Sequence, residues 1–258
     1  MKALQCTELG GPEKLQVNEI DAPEVMPGHV VIDVKSGSIN FPDVLMIQGL
    51  YQFQPPLPFI PGGESAGVIS EVGEGVTKFK EGDKVFAMTG VGAFAEKILA
   101  AESNCMPIPE SMDFDSAAAL SMTYGTSLYA LKQRASLQPG ETLMVLGASG
   151  GVGLAAIELG KAMGAKVIAA ASTQDKIDMC LSHGADEGFI YPSSNLDRDQ
   201  QKELSNKIKE LTGGLGPNVI YDPVGGSYAE PCLRSIAWEG RYLVIGFAAG
   251  ADQIPKMP

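Results

Sequence analysis

The sequence is short of the residue types that form cross-links and bind transition metals. Its 258 residues include four cysteines and two histidines. The cysteines, at positions 6, 105, 180 and 232, form no C-x-x-C pair, whereas disulfide scaffolds and thiolate zinc sites use closely paired cysteines. A zinc site also needs three or four converging ligands, and both His29 and His183 stand next to turn residues. The sequence therefore predicts reduced thiols and no metal site.

Positive charge and long apolar runs are also scarce. Lysine and arginine number 19 against 31 aspartates and glutamates, which gives a net charge of -12 and a pI near 4.6. Such a chain repels polyanions unless it carries a basic patch, and none is visible. Residues 1–11 contain no signal-peptide core, and no apolar run approaches the roughly 18 residues of a membrane span. We expect a cytoplasmic protein that binds neither nucleic acid nor membranes.

The first part of the chain has the composition of a small β domain. Short apolar segments stand between Gly and Pro turns, as in compact, partly closed β domains. The predicted strands cover residues 15–19, 30–36, 65–72, 84–88 and 93–100. From Ser116 the pattern changes to longer helical segments, beginning with residues 117–134. We place the boundary near Met122, with one domain over residues 1–122 and another over residues 123–258.

A glycine-rich turn, G-A-S-G-G-V-G at residues 147–153, is the most informative motif. It follows an apolar strand at residues 142–146 and opens an Ala-rich helix at residues 154–163. Glycines allow a tight turn and let a pyrophosphate approach the backbone, and a helix N-terminus offers unpaired N–H groups to phosphates. The pattern predicts a dinucleotide site rather than a turn that merely uses glycine. The residues predicted at the phosphates are Gly147, Gly150, Gly151, Val152 and Gly153.

Strands and helices alternate through the rest of the chain. This alternation predicts an α/β fold with a doubly wound parallel sheet. After the strand at residues 166–172, we predict helices at residues 174–182 and 200–212 and strands at residues 188–191, 219–222 and 241–247, with a further helix before the last strand.

Several ordered segments together carry a family resemblance. They are I-N-F-P-D at residues 39–43, the run at residues 58–76, P-G-E at residues 139–141, the glycine turn, and D-P-V-G-G at residues 222–226. With these segments in this order, the whole chain resembles the medium-chain dehydrogenase/reductase superfamily, in its zinc-free NADPH:quinone oxidoreductase (zeta-crystallin-like) branch. The resemblance implies a GroES-like β domain followed by a Rossmann-type NADPH-binding domain.

Members of that branch continue beyond the strand equivalent to residues 241–247 and return to the first domain. The resemblance therefore implies a chain truncated at its C-terminus. A homodimer is expected of the full-length family but is doubtful for this chain, because an uncovered edge strand invites aberrant pairing.

The resemblance also implies chemistry without zinc. The alcohol-dehydrogenase relatives use Cys and His ligands, where this chain has Asn40 or its neighbours and the segment G-G-E at residues 62–64. Alcohol oxidation is then disfavoured, because nothing lowers the pKa of the hydroxyl group. Hydride addition to a quinone yields a phenolate with a pKa of about 10, which solvent can protonate. Addition to an enone yields an enolate that hydrogen-bond donors can stabilise.

The end of the second parallel strand favours NADPH over NADH. NAD-selective folds carry a carboxylate about 20 residues after the glycine turn, whereas this strand ends A-A-A-S at residues 169–172. Asp175 competes for that role, but S-x-x-D from Ser172 also reads as a helix start with the acid in its first turn. By resemblance, Ser172, Lys176 and Tyr191 match positions that bind the 2′-phosphate. The alternative for Lys176 is a solvent-facing helix lysine.

For the nicotinamide end, the resemblance points to Asn40 and Thr126 at the domain junction, to Pro223 and Val224, and to Gly246 and Phe247. The turns that follow the strands would lie beyond the carboxyl ends of parallel strands, where ligands bind. The alternative is that glycine and proline simply make turns there.

Tyr51 and Asn40 are the catalytic candidates. Tyr51 matches a family tyrosine that lines the substrate cleft, although a tyrosine packed at a domain edge fits the sequence as well. Asp43 is expected to anchor the Asn40 loop through backbone hydrogen bonds. For Glu64 the sequence leaves open a support for the site residues or an ion pair within the domain.

The implied function is NADPH-dependent hydride transfer to quinones or related electrophilic carbonyl compounds. Reduction of enones, 2-alkenals or enoyl thioesters remains an alternative on the same scaffold. A noncatalytic NADPH-binding structural or adaptor protein is an alternative of another class. A thioester of coenzyme A calls for a basic cluster, so the acidic chain favours a small neutral acceptor.

Overall fold

The computed structural model describes residues 1–193 and 195–249. The chain divides into two compact units, of which the first is Met1–Met122 and the second begins at Thr123.

The first unit is built on antiparallel β-sheet. Its strands are β1 (Lys2–Cys6), β2 (Leu15–Glu19), β3 (His29–Ser38), β4 (Glu64–Val72), β5 (Lys84–Met88), β6 (Lys97–Ala101) and β7 (Cys105–Pro107). Five strands form a sheet in the order β6-β3-β4-β5-β7, and β1 pairs with β2 in a separate two-stranded sheet. Alternation along the strands buries Val30, Ile32 and Ile69 in one core. Ala66 and Phe86 pack in another core, against Ala117 and Ala118 of helix α2 (Phe114–Ala118).

Two features of this unit differ from the sequence-based predictions. Helix α1 (Phe41–Ile47) was not predicted, because its seven residues include Pro42 and carry no long periodic pattern. The strand predicted at residues 93–100 begins only at Lys97. Ala93 and Phe94 instead donate backbone hydrogen bonds to Gly62 and Pro61, so this part of the chain pairs outside the five-stranded sheet.

The second unit contains a five-stranded parallel sheet with helices in its crossovers. Its strands are β8 (Thr142–Val145), β9 (Lys166–Ala171), β10 (Glu187–Ile190), β11 (Val219–Asp222) and β12 (Arg241–Val244), in the order β10-β9-β8-β11-β12. The longer helices are α4 (Gly151–Ala162), α5 (Gln174–Ser182), α6 (Arg198–Leu211) and α7 (Ala229–Ser235). The predicted parallel α/β sheet is confirmed. Because the strand order reverses beside β8, the turn after β8 lies where ligands bind in this architecture.

Three predicted boundaries after residue 113 were wrong. The single helix at residues 117–134 is instead α2, a wide-turned π-helical stretch (Ser121–Gly125), the short α3 (Thr126–Leu128) and a second π-helical stretch (Tyr129–Arg134). Helix α4 begins at Gly151 rather than at residue 154. Strand β12 ends at Val244, because Ala248 and Ala249 turn to pair with Pro223 and Val224.

Candidate active site

The glycine turn after β8 has a geometry that only small residues permit. Gly147 adopts a left-handed backbone with φ of 54°, and the N–H of Gly150 closes the turn onto the Gly147 carbonyl at 3.0 Å. A Cβ on Gly153 would lie 2.6 Å from the carbonyl oxygens of both Gly147 and Ala148. The turn and the first helical residues are therefore packed too closely for any side chain at Gly153.

The N-terminus of α4 is open to an anion. Gly150 precedes the helix in an extended conformation, and no side chain caps it. The first helical residues, Gly151, Val152 and Gly153, have N–H groups without acceptors inside the helix. These groups and the helix dipole favour a negatively charged group. The structure thus places all five glycine-turn residues predicted from the sequence around one potential phosphate site.

Ser172 and Lys176 meet at the end of β9. The Lys176 Nζ donates a hydrogen bond to the Ser172 Oγ at 3.1 Å, and the lysine is exposed. The capping residue suggested at Ser172 was wrong by one position, because the N-cap of α5 is Thr173, whose Oγ1 accepts from the Lys176 N–H at 3.4 Å. Asp175 lies in the first turn of α5, where a carboxylate suits the helix dipole.

Tyr191 is the third residue predicted at the 2′-phosphate. The backbone N–H of Tyr191 donates a hydrogen bond to the Ala171 carbonyl oxygen, which places Tyr191 beside Ser172. Its side chain is buried, and its hydroxyl accepts a hydrogen bond from the Gly147 N–H at 3.2 Å. Burial raises the pKa of Tyr191 to about 12. The hydroxyl therefore stays protonated and holds the glycine turn, a contact that sequence reasoning missed.

The turns after β11 and β12 come together beside the glycine turn. The N–H groups of Ala248 and Ala249 bond to the carbonyls of Pro223 and Val224 at 3.1 and 2.9 Å. A Cβ on Gly147 would lie 2.9 Å from the Val224 Cγ2, and a Cβ on Gly225 would lie 3.0 Å from the Phe247 Cδ1. Pro223, Val224, Gly246 and Phe247 thus form one group with Gly147 at the carboxyl edge of the sheet.

Thr126 is tied to α4 through its neighbour. The fully buried Ser127 donates a hydrogen bond to the Val152 carbonyl at 3.0 Å, and its Oγ lies 2.8 Å from the Tyr221 hydroxyl oxygen. These contacts hold the Thr126 helix against the first turn of α4. The only signal for Ser127 in the sequence is a small polar residue inside an apolar helical run.

In the first unit, Asn40 belongs to a buried polar cluster around Glu64. The Glu64 side chain is 1% exposed, and its Oε1 accepts from the Ser38 hydroxyl at 2.5 Å and from the Asn40 Nδ2 at 2.8 Å. Its Oε2 accepts from the Met122 N–H at 2.8 Å. The Asn40 Nδ2 also donates to the Ser38 Oγ at 3.0 Å. The Ser38 Oγ and the Glu64 Oε1 lie 2.5 Å apart, so the Asn40 amide group meets both acceptors in one direction and is oriented by them.

Asp43 anchors this loop as predicted. Its Oδ2 accepts from the Asn40 N–H at 2.7 Å and its Oδ1 from the Gly62 N–H at 3.2 Å. Burial raises the pKa of Asp43. The two predictions left open for Glu64 are now separated, because its hydrogen bonds support Asn40, and no ion pair of Glu64 occurs within residues 1–193 and 195–249.

Tyr51 follows helix α1 and is partly buried. It packs against an apolar cluster of Cys6, Met46, Ile47 and Phe59. Leu50 and Phe53 on either side of it are exposed, at 64% and 59%. The packing that the sequence left open for Tyr51 is therefore present, and a catalytic role for its hydroxyl stays a prediction.

The histidines take part in local contacts. The His29 Nδ1 lies 2.9 Å from the Pro27 carbonyl oxygen, and the His183 Nδ1 lies 2.6 Å from Glu158 Oε1.

In the part of the chain that the structure describes, no three His, Cys, Asp or Glu side chains group as metal ligands. Nor is any helix there long and apolar enough to cross a membrane.

Two protein families match the two halves of the chain. Residues 26–110 match the family described as "Alcohol dehydrogenase GroES-like domain", and residues 151–258 match "Zinc-binding dehydrogenase". The side chains around Asn40 and Glu64 described above do not supply the ligand set that a catalytic zinc requires.

Individual relatives point to one branch. The chain is 40% identical over 250 residues to "Quinone oxidoreductase-like protein 2" of Rattus norvegicus. The matched region covers 96% of this chain and 69% of the relative. The chain is 34% identical over 258 residues to the "Quinone oxidoreductase" of the same organism, covering 99% and 76%. The crystal structure of Escherichia coli quinone oxidoreductase complexed with NADPH superposes with a TM-score of 0.89 at 31% identity, covering 100% of this chain and 76% of that one.

Proposed function

The chain belongs to the medium-chain dehydrogenase/reductase superfamily, in its quinone oxidoreductase branch, and on this basis we propose that it is a zinc-independent, NADPH-dependent reductase of quinones or related electrophilic carbonyl compounds. The observation that carries the cofactor choice is the contact between Lys176 and Ser172 at the end of β9. A cation and a hydroxyl stand there, where NAD-selective folds place a carboxylate for the ribose.

The second unit fits NADPH in three places. The uncapped N-terminus of α4 suits the pyrophosphate. Lys176 and Ser172 offer a charged donor and a hydroxyl to the 2′-phosphate. The Pro223–Val224 turn and the Gly246–Phe247 segment form an apolar edge for the nicotinamide end, beside the glycine turn. When bound, NADPH supplies the hydride, and the protein's contribution is to hold it in place.

Asn40 is held in one orientation by its neighbours. Its amide Nδ2 donates to Glu64 and Ser38, which fixes the direction of the side chain. Its carbonyl oxygen can accept a hydrogen bond from a hydroxyl or amide of the cofactor or substrate. We therefore assign Asn40 to orienting the bound molecules, and Tyr51 is the candidate for a hydroxyl that orients the acceptor.

A quinone suits such a site because its reduction demands little acid catalysis. One hydride and one proton convert a quinone to a hydroquinone, and the intermediate phenolate has a pKa of about 10, so water can protonate it. An enone gives a more basic enolate, which calls for hydrogen-bond donors aimed at its oxygen. The smaller demand for acid catalysis favours the quinone.

The test is NADPH oxidation, followed by absorbance, with a benzoquinone, an enone and an enoyl thioester in parallel and NADH in place of NADPH in a second series. We expect fastest turnover with the benzoquinone and NADPH. Faster turnover of the enone or thioester would move the protein to another reductase class. Tight NADPH binding without turnover of any acceptor would favour a noncatalytic binding protein.

A further inference from the structure

The carboxylate of Asp222 is buried at the end of β11, below the turn that faces the glycine turn. Asp222 is 1% exposed. Its Oδ1 accepts hydrogen bonds from the N–H groups of Val224 at 2.8 Å and Gly225 at 2.9 Å. A buried carboxylate is costly unless its oxygens have donors. The two backbone N–H groups satisfy one oxygen and, in doing so, fix the conformation of residues 223–225, the Pro223 turn.

The second oxygen is satisfied by a side chain from the neighbouring strand. Tyr242 lies on β12 opposite Ile220, two residues before the position opposite Asp222. On the pleated sheet it therefore shares a face with Asp222. Its hydroxyl donates to the Asp222 Oδ2 at 2.5 Å. Burial and the charge of Asp222 raise the pKa of Tyr242, which keeps the phenol protonated as a donor.

The Pro223 turn also forms hydrogen bonds to the segment after β12. The carbonyl oxygens of Pro223 and Val224 accept hydrogen bonds from the backbone N–H groups of Ala248 and Ala249. The backbone polar groups of the turn are thus used within the fold, and the turn presents the side chains of Pro223 and Val224 to the glycine turn. The place where a Gly147 Cβ would stand is 2.9 Å from the Val224 Cγ2 and 3.4 Å from the Pro223 Cγ. A small displacement of the turn would therefore press on the glycine turn or open a gap beside it.

We propose that Tyr242 is a positioning residue for the cofactor, which acts through Asp222 to hold the Pro223 turn against the glycine turn. This inference rests on the proposed function. Without the phenol, one oxygen of the buried carboxylate loses its donor, and the carboxylate that fixes the turn is no longer anchored to β12. NADPH must then order the turn as it binds, which weakens binding. The weakening would be about tenfold if ordering costs roughly one charge-assisted hydrogen bond.

The test compares Tyr242→Phe with Tyr124→Phe. Tyr124 is a matched control, since its hydroxyl also donates to a carboxylate oxygen, Glu158 Oε2, at 2.5 Å, in the same unit. Glu158 lies within α4 and holds no turn of the site. We expect the Kd of NADPH to rise about tenfold in Tyr242→Phe, and the KM for NADPH to rise by the same factor. The Kd is measured by titrating the protein with NADPH and following the change in fluorescence. Both should stay near wild type in Tyr124→Phe, with kcat at saturating NADPH similar in all three proteins.

A merely structural role predicts a different result. Partial unfolding would lower the number of binding sites and the apparent kcat, and leave Kd unchanged, and that outcome would overturn the proposal. Equal losses of affinity in both phenylalanine variants would overturn it too.

If Tyr242→Phe does not fold, Val224→Ala replaces it, because it removes the Cγ2 that packs against Gly147 and leaves Asp222 and Tyr242 in place. An unchanged Kd in Val224→Ala would then overturn the proposal. Absence of NADPH binding by the wild-type protein would instead refute the proposed function.

Discussion

The Nζ of Lys176 lies 3.1 Å from the Oγ of Ser172, across the junction between β9 and helix α5. The contact brings an ammonium group and a hydroxyl group to one place. The serine hydroxyl accepts from the lysine, so its own hydrogen is available to a further acceptor. The ammonium group has two more hydrogens to donate. A phosphate placed there would meet donors from both side chains.

Lys176→Ala should therefore raise the Kd of NADPH by about tenfold or more, because a charge-assisted contact to the 2′-phosphate is lost. The Kd of NADH should change little, since NADH has no 2′-phosphate. Fluorescence titration with both cofactors measures this. Lys207→Ala, which removes an exposed lysine of α6, is the control. An equal loss for both cofactors would show that Lys176 does not read the phosphate.

Gly153→Ala and Gly160→Ala should separate binding from stability on the same helix. A Cβ at Gly153 meets backbone oxygens of the glycine turn at 2.6 Å, whereas one at Gly160 meets the flexible end of Leu143 at 2.6 Å. We expect Gly153→Ala to lose most NADPH affinity. Gly160→Ala should lower the Tm and bind NADPH normally once folded. Normal NADPH affinity in Gly153→Ala would contradict the placement of the pyrophosphate.

Glu64→Gln should disturb the Asn40 cluster. The carboxylate accepts from Ser38, Asn40 and Met122. An amide must turn its NH₂ group towards at least one of these donors, and an unmatched buried donor costs about 1–3 kcal/mol of stability. We expect a lower Tm and a lower kcat with the benzoquinone.

The control is Glu102→Gln. Glu102 also accepts two backbone N–H groups, from Thr77 and Lys78, but it has no contact with Asn40. Its variant should keep the wild-type kcat. If Glu64→Gln loses stability and keeps its kcat, the cluster supports folding alone.

Tyr51→Phe should slow turnover and leave the Kd of NADPH unchanged, because it removes a hydroxyl and keeps the ring that packs against the cluster of Cys6, Met46, Ile47 and Phe59. Steady-state kinetics with the benzoquinone, combined with cofactor titration, measure both quantities. Unchanged turnover would assign Tyr51 to packing only.

The pair of Arg241 and Glu141 should make stability depend on pH. Arg241 donates two hydrogen bonds to the Glu141 carboxylate, at 2.8 and 2.6 Å, and these lower the pKa of Glu141 in the folded protein. A lowered pKa means stability that is present above the unfolded pKa of about 4.3 and is lost as the pH falls through the folded pKa. Glu141→Gln should thus lower the free energy of unfolding at pH 7 by about 1 kcal/mol.

Urea unfolding at neutral and acidic pH tests this sign. The difference between the variant and the wild-type protein should shrink as the pH falls below about 4. A difference that stays constant down to the acid limit would mean that the carboxylate charge contributes nothing.

Local patterns in the sequence were enough to predict the parallel α/β sheet and the glycine turn. Strands β2, β5 and β11 and helix α5 begin and end where the sequence placed them. Such elements follow from periodicity and turn residues within a dozen positions. The position of Ser172 and Lys176, four residues apart at a helix start, is local in the same sense.

Tertiary structure alone decided the partners of the buried polar groups. Glu64 meets Met122, and Asp222 meets Tyr242, through strand pairing and packing between distant segments. The register of a strand depends on which neighbours it pairs with, and no local pattern states this. For the same reason Tyr191 could be assigned to the cofactor by resemblance, but its bond to Gly147 could not be foreseen. The residue types of the site were readable in the sequence, whereas the hydrogen bonds that orient them depend on the assembled sheets.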